Sequence, residues 1–341
     1  MRFARRDLFR LGALGGGFGL LGALGWSRLR RSEADAELLT GQLPPLPMDC
    51  LGSASKESGA TYAAQYAPPG FLTAGSLDGL HRPPAPRTGP ENALLAFDLP
   101  IIETTLEVAQ GRNARVWAYG GTVPGPILRA RLGDRLRVTV SNRSPVAHSL
   151  HFHGAHDVMQ DGLARIAPGE QTVYEFTAGP AGLHPYHCHV PPYACHIGRG
   201  MYGALIVDPP SARPVAHEFV LCLCGFDLEG KGRNDTYAWN GIAGYYEHFP
   251  LKVPVGELVR LYVVNMVEND SVASFHLHAQ TFDVFRSGTS LEPHEHTDLL
   301  TLGPAERAVL EFRLNRRGRY MFHPHQSHMA ERGAMGFIAA I

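Results

Sequence analysis

An internal repeat constrains this chain more than any other feature, because the same series of motifs occurs twice. Gly133-Asp134 and Gly256-Glu257 each lead through an apolar run to an asparagine nine residues after the glycine. A His-x-His pair follows in each copy, and a second pair begins nineteen residues after Pro168 or Pro304. The four pairs are His151/His153, His187/His189, His276/His278 and His323/His325. This common spacing predicts two homologous domains, at about residues 91–210 and 211–341.

The pattern within each copy predicts an all-β fold. From residue 94 onward, short β-type runs such as 135–140 and 258–264 alternate with Gly/Pro turns, and no long helical period occurs. Such runs are typical of β-sandwiches. A length of 341 residues with 44% hydrophobic content supplies core for two such domains. The formal net charge of −1 gives no reason to expect a nucleic-acid partner.

The amino-terminal residues differ from the repeats. Arg5-Arg6 precedes an apolar, Gly-rich run from Leu11 to Trp26, so residues 1–36 resemble a twin-arginine export signal with a cleavage site at Ala34-Asp35-Ala36. The expected location is therefore periplasmic or secreted, with an uncleaved membrane anchor as the alternative. Residues 37–90 are rich in Pro, Gly and Ser and predict an extended lead-in, either wrapped on the surface or disordered.

One stretch of the first copy carries a thiolate among imidazoles. Cys188 is flanked by His187 and His189, and His196 and Met201 follow it. One Cys, two His and a weak Met form the trigonal site of blue-copper electron-transfer centres. His148, three residues before the first His-x-His pair, is the best candidate for the missing imidazole. These residues predict a copper site in which Cys188 passes single electrons.

The second copy lacks this site. Cys188 corresponds to Pro324, which cannot bind a metal, and His148 corresponds to Ala273. Met329 and Ala334 stand opposite His196 and Met201 when the Arg-Gly dipeptides 199–200 and 332–333 are aligned. Cys222 and Cys224, two residues apart in an apolar run, are predicted to be buried free thiols.

Each copy keeps both of its His-x-His pairs, and these four pairs need a separate explanation. Residues i and i+2 of a strand share one face, so each pair presents two imidazoles side by side. Eight imidazoles exceed what a single metal ion binds, and three copper ions could share them.

In these motifs the chain resembles a multicopper oxidase, and more narrowly a two-domain one with type 1 copper in its first domain. The resemblance covers about residues 94–341. It is carried by the run Thr122-Val123-Pro124-Gly125-Pro126-Ile127, by the 148–154 and 187–189 stretches and by the pairs of the second copy. It implies two cupredoxin-like Greek-key β-sandwich domains.

The resemblance also implies a ligand set and a reaction. His148, Cys188, His196 and Met201 resemble the type 1 ligands, and His151 and His276 resemble the type 2 ligands. The type 3 ligands would be His153, His187, His189, His278, His323 and His325. Four copper ions per chain (one type 1, one type 2 and two type 3) would then couple oxidation of a small reducing substrate to the four-electron reduction of O₂ to water.

Three further expectations follow from the resemblance. Two-domain members resemble homotrimers in which the first domain of one subunit faces the second domain of the next, so each three-copper cluster would lie at an interface. Asp161 resembles the family's acidic residue near the cluster, with a loop-forming Asp-Gly turn as the alternative. The reducing substrate is expected to be a phenol or aromatic amine, as in a laccase, or a metal ion such as Fe(II), Mn(II) or Cu(I).

Two other functions are compatible with the motifs. A copper nitrite reductase shares the trimeric two-domain architecture and the blue site, but carries an aspartate where this chain has His151. A non-catalytic copper-binding protein would be expected to lose ligands, and only the second blue site is missing. The complete pairs therefore favour oxygen chemistry. His328 is left open as a neighbour of the cluster, and the remaining histidines are predicted to be structural or solvated: His81, His156, His184, His217, His248, His294 and His296.

Overall fold

The described residues form two β-sandwich domains joined in sequence. The protein is represented by a computed structural model that describes residues 75–156 and 158–341. The strands of domain 1 are β1 (Leu94–Ala109), β2 (Arg112–Tyr119), β3 (Leu128–Arg131), β4 (Arg135–Asn142), β5 (His151–Phe152), β6 (Gln171–Thr177), β7 (Gly182–His187) and β8 (Tyr202–Asp208). The strands of domain 2 are β9 (His217–Phe226), β10 (Thr236–Trp239), β11 (Leu251–Val253), β12 (Leu258–Asn265), β13 (Ala273–Leu277), β14 (Phe282–Arg286), β15 (Glu295–Thr297), β16 (Leu299–Leu302), β17 (Arg307–Arg313), β18 (Gly318–His323) and β19 (Gly336–Ala340).

Helices are few and short. They are α1 (Asp78–His81), α2 (Tyr193–Gly198), α3 (Tyr245–His248), α4 (Ser327–Glu331) and a 3₁₀ turn at Val158–Gln160. The helix α2 follows β7 in domain 1, and α4 follows β18 in domain 2. None of the helices in the described part of the chain is long and apolar enough to cross a bilayer.

Strand order repeats between the two domains. Domain 1 has sheets of order β2-β1-β4-β6 and β3-β8-β7-β5. Domain 2 repeats both orders as β10-β9-β12-β17 and β11-β19-β18-β13, extending the first sheet by β14 and β15 and the second by β16. The predicted all-β fold of two cupredoxin-like sandwiches is confirmed, and the internal repeat of the sequence appears as a repeat of topology.

The two domains share a buried interface. Along β9, Phe219, Leu221 and Leu223 face the core of domain 2, whereas Cys222 and Cys224 face a core shared with domain 1. A strand covered on both faces explains why this run is apolar without alternation. Both cysteines are free and buried, as predicted. All described residues lie in one compact unit.

Ion pairs reinforce the same interface. Arg129 of β3 pairs with Asp208 at 2.8 Å within domain 1 and reaches Glu218 of β9 at 2.6 Å. Glu218 also accepts from Arg260 at 2.8 Å, and both arginine side chains are 3% exposed. Because each buried cation has a carboxylate partner, the network avoids the cost of an unpaired buried charge.

The described end of the lead-in, residues 75–90, lies against both domains. Leu77 is buried in the core of domain 2, and the ring of His81 in α1 lies 5.7 Å from that of Tyr246. Farther on, Arg87 binds the buried carboxylate of Asp134 at 2.6 Å. This part is therefore wrapped on the surface, with a helical turn that the prediction of an extended chain omitted. The predicted export signal lies outside the described residues.

Candidate metal centres

Three predicted ligands meet in the interior of domain 1. The Nδ1 atoms of His148 and His196 lie 3.1 Å apart, and Cys188 Sγ lies 3.8 and 3.3 Å from them. We call these three residues the type 1 triad. Their exposed fractions are 0%, 5% and 0% for His148, His196 and Cys188. Donor atoms at these separations fit a single ion about 2.0–2.3 Å from each nitrogen or sulfur.

The chain positions the triad through neighbouring elements. Cys188 directly follows β7, His196 lies in α2, and His148 forms an isolated bridge with Ile166. Met201 is fully buried, accepts the backbone N–H of Cys188 at 3.0 Å and donates its own to His196 O at 3.2 Å. These backbone hydrogen bonds to Cys188 and His196 hold Met201 next to the triad, where the sequence places it.

Burial keeps the triad in a form suited to metal binding. Desolvation lowers the pKa of His148 to about 3, with a contribution from His196. Desolvation likewise lowers the pKa of His196 to about 4, helped by the charges of Arg199 and Arg165. Both imidazoles are thus neutral, the form that binds metal. Burial raises the pKa of the Cys188 thiol, so metal binding would displace its proton.

Four other imidazoles of domain 1 cluster on the far side of Cys188. His151 of β5 stands directly opposite His187 of β7 in the strand register. The Nε2 atoms of His153 and His187 lie 2.8 Å apart, and the ring of His189 lies 5.5 Å from that of His151. We call these four residues the domain 1 tetrad. Burial lowers the pKa of His153 to about 3 and that of His187 to about 4.

Domain 2 presents an equivalent group. His276 stands opposite His323 in register, and the Nε2 atoms of His278 and His323 lie 3.0 Å apart. The ring of His325 lies 5.4 Å from that of His276. We call these four residues the domain 2 tetrad. In both tetrads, three imidazoles place a nitrogen within 4.8 Å of one another, as ligands of a shared ion would.

Backbone carbonyls orient the imidazoles in the same way in both tetrads. His187 Nδ1 donates to Cys188 O, and His323 Nδ1 donates to Pro324 O, each at 2.8 Å. A carbonyl only accepts, so the proton stays on Nδ1 and Nε2 keeps its lone pair. His153 Nε2 lies 2.8 Å from His187 Nε2, so one ion could bind both nitrogens when His153 carries its proton on Nδ1. Both tetrads therefore fit a metal.

The two tetrads remain separate within one chain. Within residues 75–156 and 158–341, no hydrogen bond, ring contact or candidate metal group joins a member of one tetrad to a member of the other. The type 1 triad, in contrast, is complete in domain 1. Its counterpart in domain 2 contains Ala273, Met329 and Ala334 in the apolar core, in agreement with the absence of a second blue site.

A carboxylate accompanies the first imidazole of each tetrad. His151 Nδ1 lies 2.9 Å from Asp161 O and 3.1 Å from Asp161 Oδ1. His276 Nδ1 lies 2.9 Å from Asp298 O and 3.5 Å from Asp298 Oδ2. The sequence analysis singled out Asp161 and missed Asp298. Counting back from the repeated proline motifs would have found both, seven residues before Pro168 and six before Pro304.

The tight turn at Asp161-Gly162 explains why Asp161 lies beside His151. Gly162 has φ of +74°, and a Cβ there would lie 1.9 Å from Leu150 O. Only glycine lets the loop approach the His151 strand this closely. The structure therefore combines the two alternatives: Asp161 forms an Asp-Gly turn, and that turn brings its carboxylate to the imidazole of His151.

Three other histidines lie in defined environments. His184 is buried beneath the domain 1 tetrad, with Nδ1 2.7 Å from His153 O. His156 forms a candidate metal group with His151 and Asp161, so it lies closer to the centre than its predicted structural role implied. His328, the open case, lies 3.2 Å from a carboxylate oxygen of Asp270 and packs against Tyr237.

Comparison with known proteins agrees with this architecture. Residues 101–212 and 226–340 match two family models, both described as multicopper oxidase. The chain belongs to the multicopper oxidase family. A copper-containing nitrite reductase of Neisseria meningitidis is 32% identical over 267 residues, which cover 72% of this chain and 69% of that protein.

Solved structures add two similar proteins. A crystal structure of a multicopper oxidase is 38% identical, with a TM-score of 0.74, and the match covers 77% of this chain and 96% of that one. A copper nitrite reductase from Nitrosomonas europaea is 31% identical, with a TM-score of 0.67 and coverage of 73% and 94%. Family membership makes this multicopper oxidase a copper-dependent oxidoreductase. Both kinds of relative share its fold, so the electron acceptor must be argued from the site.

Proposed function

We propose that this multicopper oxidase couples one-electron oxidation of a reducing substrate at the type 1 triad to four-electron reduction of O₂ to water. The oxygen site would be a three-copper cluster held by one domain 1 tetrad and one domain 2 tetrad. Four copper ions per chain follow from this assignment. The expected reducing substrates are phenols, aromatic amines or metal ions, as for a laccase.

The observation that carries the proposal is the completeness of both tetrads. A single catalytic copper needs about three imidazoles, whereas the chain keeps eight in two equivalent arrangements. Position 151 holds a histidine, paired in register with His187, where a nitrite reductase is expected to carry an aspartate. This favours oxygen reduction over nitrite reduction, although a nitrite reductase is among the similar proteins.

Cys188 provides the path between the two kinds of site. Bound copper would supply the one-electron chemistry at each end. Sγ of Cys188 belongs to the type 1 triad, and its backbone continues directly into His187 and His189 of the domain 1 tetrad. The hydrogen bond from His187 Nδ1 to Cys188 O, at 2.8 Å, adds a second short connection between these two residues. An electron received at the triad therefore has a covalent route of two adjacent residues to the cluster.

Asp161 and Asp298 are the proton donors we assign to this reaction. Water formation consumes four protons per O₂, and these carboxylates touch His151 and His276, the two residues assigned to type 2 copper. Their side chains are 35% and 58% exposed in the single chain, so neither carboxylate is sealed in the interior of its own domain. The second acid makes the proton supply symmetric about the cluster.

The separation of the tetrads supports the homotrimer that the resemblance to two-domain members implies. Because no described contact joins them within one chain, a three-copper cluster requires a domain 2 tetrad from a neighbouring subunit. Such a contact between unlike faces closes into a ring when its rotation permits. A ring of three subunits would hold three clusters, one at each interface.

A comparison of acceptors tests the proposed reaction. The purified copper-loaded protein is given a generic one-electron reductant with O₂ or, under anaerobic conditions, with nitrite. We expect O₂ uptake at one molecule per four electrons, without accumulation of peroxide, and negligible nitrite consumption. Consumption of nitrite faster than O₂ would overturn the proposal in favour of a nitrite reductase. Consumption of neither acceptor would favour a non-catalytic copper protein.

The two carboxylates allow a separate prediction. Asp161→Asn and Asp298→Asn should each lower O₂ turnover by up to about 100-fold. This is the lower end of the range of rate losses that follow removal of a general acid. The loss should grow with rising pH, because solvent protons replace the carboxylate less well at high pH. The measurement is the pH profile of O₂ turnover in each variant. The control is Asp283→Asn, whose carboxylate binds His296, a histidine that belongs to neither tetrad; an equal loss in that variant would refute the assignment.

A further inference from the structure

A tryptophan packs against both imidazoles of the type 1 triad. The ring centroid of Trp117 lies 5.0 Å from that of His148 and 4.9 Å from that of His196. Trp117 is 4% exposed, and its backbone N–H donates to Arg199 O at 2.9 Å. The indole thus forms one wall of the triad and separates it from the charged groups beyond.

Those charged groups lie directly on the indole. The guanidinium carbon of Arg199 lies 4.4 Å from the centroid of Trp117, in a cation–π arrangement. On the indole edge, Trp117 Nε1 donates to Glu103 Oε2 at 2.8 Å, and Arg115 Nη2 binds the other oxygen at 2.6 Å. A cation and an anion therefore contact the same ring, which in turn contacts both copper-binding imidazoles.

The charge of Arg199 reaches the triad. Burial lowers the pKa of Arg199, so its charge is only partly hydrated. The guanidinium carbon lies 4.4 Å from the Trp117 centroid, and that indole in turn lies 4.9 Å from the ring of His196. Glu103 carries the opposite charge and accepts from the Nε1 edge of the same indole at 2.8 Å. Partly buried charges are screened less by salt and water than exposed ones, so this influence persists at physiological ionic strength.

We propose that Arg199 is a positioning residue that, through its stack on Trp117, raises the reduction potential of type 1 copper. This inference rests on the proposed function, because it requires copper at the triad. Reduction adds one electron, taken from the reducing substrate, and lowers the charge of the site from Cu(II) to Cu(I) by one unit. A nearby cation disfavours the more positive oxidised form and so raises the potential. Glu103 acts with the opposite sign.

Paired charge variants test this inference. Arg199→Gln should lower the type 1 potential by about 59 mV, a tenfold change in the equilibrium constant of a one-electron couple. Glu103→Gln should raise it, by a smaller amount because the carboxylate contacts only the indole edge. Arg199→Lys keeps the charge and should largely restore the potential. Potentials are measured by optical titration of the blue absorption against a mediator of known potential.

The matched control removes a similar pair elsewhere. Arg319 lies 4.0 Å over the ring of Phe337 in domain 2, and Arg319→Gln should leave the type 1 potential unchanged. Shifts of the same sign in the Arg199→Gln and Glu103→Gln variants, or no shift in either, would overturn the inference, since a purely structural role has no dependence on the sign of charge. A wild-type protein without blue absorption would instead contradict copper binding at the triad, and with it the proposed function.

Discussion

Replacing Cys188 with serine is expected to abolish the blue absorption and to lower oxidase turnover by more than about 100-fold, beyond the range for loss of an outer-shell partner of a metal ligand. The wild-type protein should contain four copper ions per chain, and the variant three. The physical reason is that, in the proposed function, Sγ would serve both as a ligand in the triad and as the start of the route to His187 and His189. A hydroxyl is a poor copper ligand and breaks both roles at once.

A second buried cysteine provides the control for this prediction. Cys224→Ser places a hydroxyl in the domain interface, where Sγ of the native residue lies 3.4 Å from Ala238 O and can be replaced as a donor. That variant should keep the blue absorption, the copper content and most of the turnover. Metal analysis and optical and EPR spectra check both proteins. Blue absorption in the Cys188→Ser variant would refute the type 1 assignment.

Mixing two inactive variants is expected to restore about one quarter of wild-type turnover if each cluster joins domains of different subunits in a closed ring. One variant loses His151 and His153 to alanine, and the other loses His276 and His278. Each breaks one tetrad in every subunit, so neither alone retains a complete cluster. After random assembly, half of the domain 1 tetrads and half of the domain 2 tetrads are intact. The two intact halves then meet at one interface in four.

Coexpression with separate affinity tags isolates the mixed trimers, in which one interface in three is intact, so the expected recovery rises from about one quarter to about one third of wild-type turnover. Turnover per copper and the copper count per chain are compared with those of each variant alone. No recovery in verified mixed trimers would contradict clusters shared between subunits, and a monomeric wild-type protein would contradict the ring. The type 1 triad provides the internal control, because its residues are unchanged in both variants and every preparation should remain blue.

Much of the fold and most of the site could be read from the sequence because the relevant signals are local. A His-x-His pair in a strand places two imidazoles on one face whatever surrounds it. The common nineteen-residue interval marks His187 and His323 as equivalent positions, and the observed registers place them opposite His151 and His276. The loss of the second blue site was equally visible, since alanine and proline carry no metal-binding group.

Residues missed by the sequence analysis act across distant parts of the chain. Asp298 reaches His276 from beyond two extra strands, β14 and β15, which lengthen the interval that is short in domain 1. Arg199 follows α2, whereas Trp117 lies on β2, and only the fold stacks one on the other. The pairing of Arg199 with Trp117 has no fixed spacing that a pattern could detect.

The sequence by itself determined which side chains are available for metals, because ligand chemistry and strand periodicity are properties of short segments. Tertiary structure decided which of them meet. It closed the type 1 triad inside domain 1 and placed Arg199 and Glu103 on the Trp117 wall. It also left the two tetrads of the described chain without a contact between them. Distances between elements follow from packing over the whole chain, which no local spacing encodes.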